Sequence, residues 1–135
     1  MRDPDCLFCK IIAGELPSQQ VDSDERTIAF MDINPATRGH ALVVPRNHAT
    51  DLLQADPEDV AAVAVAAQRL ARRVVQGLGA DGVNLINSCG AAAWQTVFHL
   101  HMHVIPRYVG DPLKLPWVPS PGDADELTAT AGRLR

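Results

Sequence analysis

The pattern of apolar and polar positions is clearest between residues 56 and 79. Val60, Val63, Ala64, Ala67, Leu70, Ala71 and Val74 recur at spacings of three and four, which predicts an amphipathic helix. Asp56 suits the N-cap, Pro57 the first helical position, and Glu58 and Asp59 the positive end of the dipole. Gln68, Arg69, Arg72 and Arg73 form the polar side, and Gly77 and Gly79 end the segment. The stripe is mostly alanine and valine, so the helix can lie close against a sheet. Shorter patterns flank it. Cys6 to Ala13 reads as a helical turn closed by Gly14, with Pro17 beyond. Val21–Ser23 and Arg26–Met31 read as a hairpin around Asp24-Glu25, which Asp32-Ile33-Asn34-Pro35 then breaks. His40–Pro45, Gly82–Ser88 and Val97–Arg107 read as three further strands. The chain from Tyr108 is proline-rich and reads as irregular, with a last short helix over Asp123–Arg133. One long helix among neighbouring strands predicts an α+β class with an antiparallel sheet.

The strand ending at Arg107 carries the chemistry. His99, His101 and His103 alternate with Leu100, Met102 and Val104. On a strand this places three imidazoles on one face and the apolar residues toward a core. A row of imidazoles serves either to bind a metal or to transfer protons and groups near neutral pH.

Composition narrows the choice. The 135 residues fit one domain, and 47% hydrophobic content with 4% aromatics predicts an aliphatic, alanine-rich core. A net charge of −4 argues against nucleic acid as the partner, though a small nucleotide needs only local donors. No apolar run reaches membrane-span length, and Met1 to Asp5 does not resemble a signal peptide, so no membrane partner and a cytoplasmic location are expected. Cys6, Cys9 and Cys89 do not resemble a disulfide framework. Cys6 and Cys9 have the C-x-x-C spacing of a metal knuckle, which two buried apolar thiols would also show.

His99-Leu100-His101-Met102-His103-Val104-Ile105 resembles the signature of the histidine triad (HIT) family. Further blocks follow in the family's order: Cys6-Leu7-Phe8-Cys9, Phe30-Met31-Asp32-Ile33-Asn34-Pro35, Gly39-His40-Ala41-Leu42-Val43-Val44-Pro45, Asn47-His48, Gly82 to Asn87, Gln95 to His99, and Pro106-Arg107-Tyr108. The similarity is to the zinc-containing bacterial, Hint-like branch. It implies a single HIT domain over residues 1–135. The implied fold is a five-stranded antiparallel sheet with one long helix and short terminal helices. A homodimer that joins two such sheets is implied as well.

The resemblance also implies nucleotidyl hydrolysis or transfer at an α-phosphate, with purine nucleoside phosphoramidates as the expected class. His101 corresponds to the nucleophile, its second ring nitrogen fixed by the backbone carbonyl of His99. His103 contacts the phosphate and manages the leaving-group proton. Thr96 supplies a hydroxyl, and the N–H groups of Thr96 and Val97, beside Gln95, hold phosphate oxygens. Asp32 accepts from the ribose hydroxyls, and Phe30 and Ile33 flank the base. Read alone, Phe30 and Ile33 suit a core and Asp32 a turn. Asn87 falls near the phosphate, or is a strand-end turn residue. His40 is a fourth histidine, either buried support or catalytic. The matching metal ligands are Cys6, Cys9, His48 and His99, a closed Cys2His2 set and so a structural zinc site.

Three departures stand out in one loop. Trp94 occupies a position where the family commonly has glycine, Ala91 and Ala92 replace polar residues, and Thr96 stands for serine. A bulky Trp94 is expected either to narrow the leaving-group pocket or to shift the loop's N–H groups. Alternatives to the phosphoramidase are a dinucleoside polyphosphate hydrolase, a non-enzymatic nucleotide-binding module, and a protein whose triad itself binds the metal.

Overall fold

The computed structural model describes residues 2–135, and Met1 lies outside them. Helix α1 (Leu7–Ile12) precedes the hairpin β1 (Gln20–Ser23) and β2 (Thr27–Met31). Then come β3 (Ala41–Pro45), the long helix α2 (Pro57–Leu78), β4 (Gly82–Ile86), β5 (Met102–Arg107) and the C-terminal helix α3 (Ala124–Leu134). The five strands form one antiparallel sheet in the order β1-β2-β3-β5-β4.

The termini of α2 lie where the sequence predicts them. Asp56 caps the helix by accepting from the Glu58 N–H, and Gly79 closes it with φ +69°, a left-handed conformation natural to glycine. The buried face is shifted from the expected one. Ala64 is exposed and Ala66 is buried, giving an inner stripe of Val63, Ala66, Ala67, Leu70 and Val74. Alanines crowd residues 61–67, so periodicity cannot choose among them. Packing against the sheet does. Arg69 of α2 clamps the hairpin through Asp22 at 2.7 Å and Asp24 at 2.8 Å.

The sheet is covered on both faces. Val63, Ala66, Ala67 and Leu70 pack on Ala29, Ala41, Val43 and Val104. On the opposite face Cys6, Phe8 and Cys9, from α1 and its cap, pack on Ile28, Phe30, Leu42 and Val44. His103 pairs with Leu42, and so shares the α1 face.

The strand expected over Val97–Arg107 begins only at Met102. Residues 97–101 run as bends and irregular backbone, so His99 and His101 lie outside the ladder, whose β3–β5 pairing stops at Val43↔Met102. The alternation of the triad reads as one strand, but of the three histidines only His103 lies in β5. Likewise β4 ends at Ile86 rather than Ser88. From Tyr108 the chain is irregular until α3, which Asp123 caps and which buries none of its residues. Gly39 is required where it stands: its φ is +92°, and a Cβ there would lie 2.5 Å from Leu78 Cδ1. This tight passage delivers His40 to the sheet.

Candidate functional site

A cleft of about 470 Å³ opens on the α1 face. It is lined by Leu7, Phe8 and Ile11 of α1, by Phe30, Asp32 and Ile33, and by Thr96, Val97, His101 and His103. No lysine or arginine lines it. No hydrogen bond within the described residues engages the amides of Thr96 or Val97, which leaves two N–H donors among the lining residues.

Each ring of the triad is given its proton position by a neighbour that has no choice. The His99 carbonyl can only accept, so His101 Nδ1–H donates to it at 2.7 Å, and the Nε2 lone pair of His101 is left bare. Pro45 O likewise takes the Nε2–H of His99 at 2.9 Å, which bares His99 Nδ1. The Ala36 N–H can only donate. It donates to His40 Nδ1 at 2.9 Å, so the His40 proton sits on Nε2. That Nε2–H lies 2.9 Å from His103 Nδ1 and 3.4 Å from Asp32 Oδ2. His103 therefore accepts at Nδ1 and keeps its own proton on Nε2.

Burial pushes all four rings below the ordinary imidazole range. His99 and His103 are each brought to about 4. For His103 the neighbouring His101 and His40 add repulsion, and Asp32 opposes it. His101 and His40 are lowered by burial as well, against the His99 carbonyl bond and the Asp32 charge respectively. The rings are neutral near pH 7, as a nucleophilic imidazole must be.

The bare Nδ1 of His99 points into a second cluster. It lies 3.3 Å from Cys6 Sγ, 3.6 Å from Cys9 Sγ and 3.2 Å from His48 Nδ1. Cys9 Sγ is 3.5 Å from His48 Nδ1, and the four donor atoms all fall within 4.8 Å of one another. Tetrahedral zinc at ordinary bond lengths requires edges of about 3.3 Å for N···N and about 3.6 Å for S···N. The set fits. Backbone N–H groups of Cys9 and Asp3 approach the two sulfurs at 3.4 Å each, and Asp3 Oδ2 stands 3.8 Å behind His48 Nε2. Both are the outer contacts that thiolate and imidazole ligands use. Burial raises the Cys9 thiol, an effect that a bound cation would reverse. Cys6 caps α1 and Cys9 lies in its first turn, so the helix itself sets their separation.

Phe8, between the two cysteines, packs edge-on against His99, His101 and Phe30 with ring centroids 5.9, 5.1 and 5.4 Å apart. Sequence reasoning missed this contact, and its signal was the helical phase that places Phe8 inward with Cys9. It also missed Ala36, Pro45 and Asp3, whose contributions here come from backbone groups or from a carboxylate far along the chain.

Of the residues expected at the site, Phe30, Asp32, Ile33, Thr96, Val97, His101 and His103 line the cleft. His40, Gln95 and Asn87 do not. Gln95 is buried and ties the loop, accepting from the Gly90 N–H and donating to Thr50 O and Val97 O. Asn87 donates to the His101 carbonyl at 2.9 Å. Trp94 also stands outside the cleft, 71% exposed, with φ +76°. A left-handed backbone costs a side-chain-bearing residue ~1–2 kcal/mol, which explains why glycine suits this position.

Residues 13–110 match the HIT domain family. A protein of Streptococcus mutans superposes with a TM-score of 0.93 at 39% identity, covering 98% of this chain and 84% of that one. A zinc-bound histidine triad family protein of Mycobacterium smegmatis superposes with a TM-score of 0.79 at 43% identity, over 96% and 95% of the two chains. A histidine triad nucleotide-binding protein of Candida albicans gives 0.85 at 29% identity, over 96% and 94%. An adenylylsulfatase of Arabidopsis thaliana is 40% identical over 103 residues, 76% of this chain and 52% of that protein. On the family match over residues 13–110 and these identities, the chain belongs to the histidine triad family.

Proposed function

We propose that the protein hydrolyses nucleoside monophosphate derivatives at the α-phosphate, with purine nucleoside phosphoramidates as the substrate class, through a nucleotidyl intermediate on His101. The observation that carries this is the His101 Nδ1–H bond to the His99 carbonyl, which leaves Nε2 bare on the cleft. The Nε2 lone pair attacks phosphorus. The bond from phosphorus to the leaving nitrogen breaks, and that nitrogen takes its proton from His103, which the anionic substrate brings to the imidazolium form with its Nδ1–H turned to Asp32 Oδ2, 4.0 Å away, so that the ring left behind is neutral. Water then attacks the phosphorus, the bond to His101 breaks, and the water's proton returns to His103. Thr96 and the free N–H groups of Thr96 and Val97 hold the phosphate oxygens, Asp32 the ribose, and Phe30 and Ile33 the base. His40 acts behind His103, and Gln95 and Asn87 hold the loop and the His101 backbone in register.

Cys6, Cys9, His48 and His99 would hold structural zinc, which would supply cohesion between α1 and the segment before β5. His99 then serves with both ends: its ring on the metal, its carbonyl on the nucleophile. A reducing compartment such as the cytoplasm suits these thiols. Leu85 and Ile86 expose apolar side chains on the edge strand β4, which supports a homodimer of single-domain chains joined there. No helix among the described residues is long and apolar enough to cross a membrane.

The Arabidopsis relative favours a second substrate arm, an adenylyl mixed anhydride, cleaved by the same attack without need of an acid for the leaving group. Incubation with adenosine phosphoramidate, adenylyl sulfate and a diadenosine polyphosphate at equal concentration ranks the arms. Mass analysis of quenched reactions should find adenylate on His101, and His101→Ala should abolish turnover while the protein stays folded. Binding of adenosine monophosphate without any covalent adduct would leave a nucleotide-binding module instead.

A further inference from the structure

We infer that Phe8 is a positioning residue for His101, its ring fixing the plane of the imidazole and with it the direction of Nε2; this rests on the reading of His101 as the nucleophile. The local structure shows why such a group is needed. His101 lies before β5 begins, so no ladder pair holds its backbone. Its carbonyl is held by Asn87, and its ring makes one hydrogen bond, from Nδ1–H to His99 O at 2.7 Å. One hydrogen bond fixes one point of a ring. The imidazole can still rock about that bond, and Nε2 then swings away from the line of attack. A displacement of ~1 Å at a reacting atom can cost ~10²-fold in rate.

Phe8 supplies the second constraint. Its ring stands at 88° to the imidazole with centroids 5.1 Å apart, within the range that T-shaped pairs prefer. His103 flanks the imidazole as well, at 5.1 Å and 63°. Phe8 is itself held on several sides. It is buried, and it meets Phe30 at 5.4 Å and His99 at 5.9 Å, each at 69°. It rides in the first turn of α1, between Cys6, which caps the helix, and Cys9. Phe8 also lines the cleft, where its ring could do no more than wall the nucleoside. The two roles differ in kinetics. A wall binds ground state and transition state alike and acts on KM, whereas a group that aims the nucleophile acts on kcat.

Phe8→Leu tests this, since it keeps an apolar side chain and removes the ring. With adenosine 5′-phosphoramidate, kcat should fall about three- to tenfold, the worth of one aromatic pair, while KM and zinc content stay close to the wild type. A rise in KM alone, or wild-type kinetics with a lower melting temperature, overturns the positioning role. The ring is also read without turnover. Carbon-13 relaxation should show the His101 imidazole of the wild type to be as rigid as the backbone. In Phe8→Leu the ring should loosen, and its Nδ1–H resonance should broaden through faster exchange with water. A His101 ring that is mobile in the wild type overturns the inference even if no Phe8 variant folds. A wild type that hydrolyses neither adenosine 5′-phosphoramidate nor adenylyl sulfate overturns the nucleophile reading instead. In that event the relaxation data still decide on Phe8, and a ring equally rigid with and without it overturns the inference.

Discussion

His99 and His103 open and close the same five-residue motif, yet they are held in opposite ways. His103 sits in β5, paired with Leu42 and Ile86 by the ladder, and its ring is set by His40. His99 lies before the strand begins, with no ladder to hold it, and its ring is set by Pro45 and by the sulfur and imidazole donors around Nδ1. The sheet fixes one end of the triad and the α1 knuckle fixes the other. His101, between them, takes its tautomer from the His99 carbonyl, so the proposed nucleophile depends on the end that the sheet does not hold. A residue type repeated at strict intervals is thus held in three different ways, set by what each second ring nitrogen touches.

The largest expected effect separates the two ends outright. His103→Ala should lower kcat by about 10²- to 10⁴-fold, the usual range for a lost general acid or base, with metal content unchanged. Loss of metal in that variant would merge the two ends into one site. Cys9→Ser strikes the other end. It should abolish stoichiometric zinc by elemental analysis and reduce kcat by about 10- to 100-fold, with a smaller effect on KM, because the cleft's nucleoside end is intact. Full turnover in a zinc-free protein would mean that His99 needs no help from the knuckle.

Acid should reveal the His103 end in stability. Folding holds this ring neutral, with its pKa at about 4 against about 6.5 when unfolded. The unfolded chain therefore binds more protons between those values. The stabilising contribution is complete above pH 6.5 and is lost as the pH falls toward 4, to the extent of ~3 kcal/mol. Denaturant titrations from pH 7 to pH 4 should show a shallower decline in His103→Gln than in the wild type. Parallel curves would remove the buried neutral ring from the account. The smallest effect is at a backbone atom. Ala36→Pro removes the N–H that orients His40 and should cost ~1 kcal/mol of stability and a few-fold in kcat, with zinc retained.

Much of this was legible in the chain itself. Asp56, Pro57 and Gly79 mark the ends of α2 because capping depends on local side-chain chemistry and φ. The face of α2 was less legible, since alanines at 61, 62, 64, 66 and 67 carry no clear period. The triad's alternation reads as a strand because residue types, not backbone bonds, are visible in sequence. The resemblance brought Cys6, Cys9, His48 and His99 together across three separate segments, where spacing alone offered only C-x-x-C. Of the agents that fix the proton positions, the His99 carbonyl came with the resemblance. The Ala36 N–H and the Pro45 carbonyl could not be read in advance, being backbone groups that no residue type marks. Trp94 showed as a departure, and only its φ explains what glycine does there.

The central claim is that each imidazole has its proton placed by a fixed neighbour, leaving His101 Nε2 as the free base. Nitrogen-15 NMR of the histidine rings at pH 7, with long-range couplings to the ring carbons' protons, tests it most directly. The account predicts the Nδ1–H tautomer for His101 and the Nε2–H tautomer for His99, His40 and His103. A His101 ring protonated at Nε2 would contradict it.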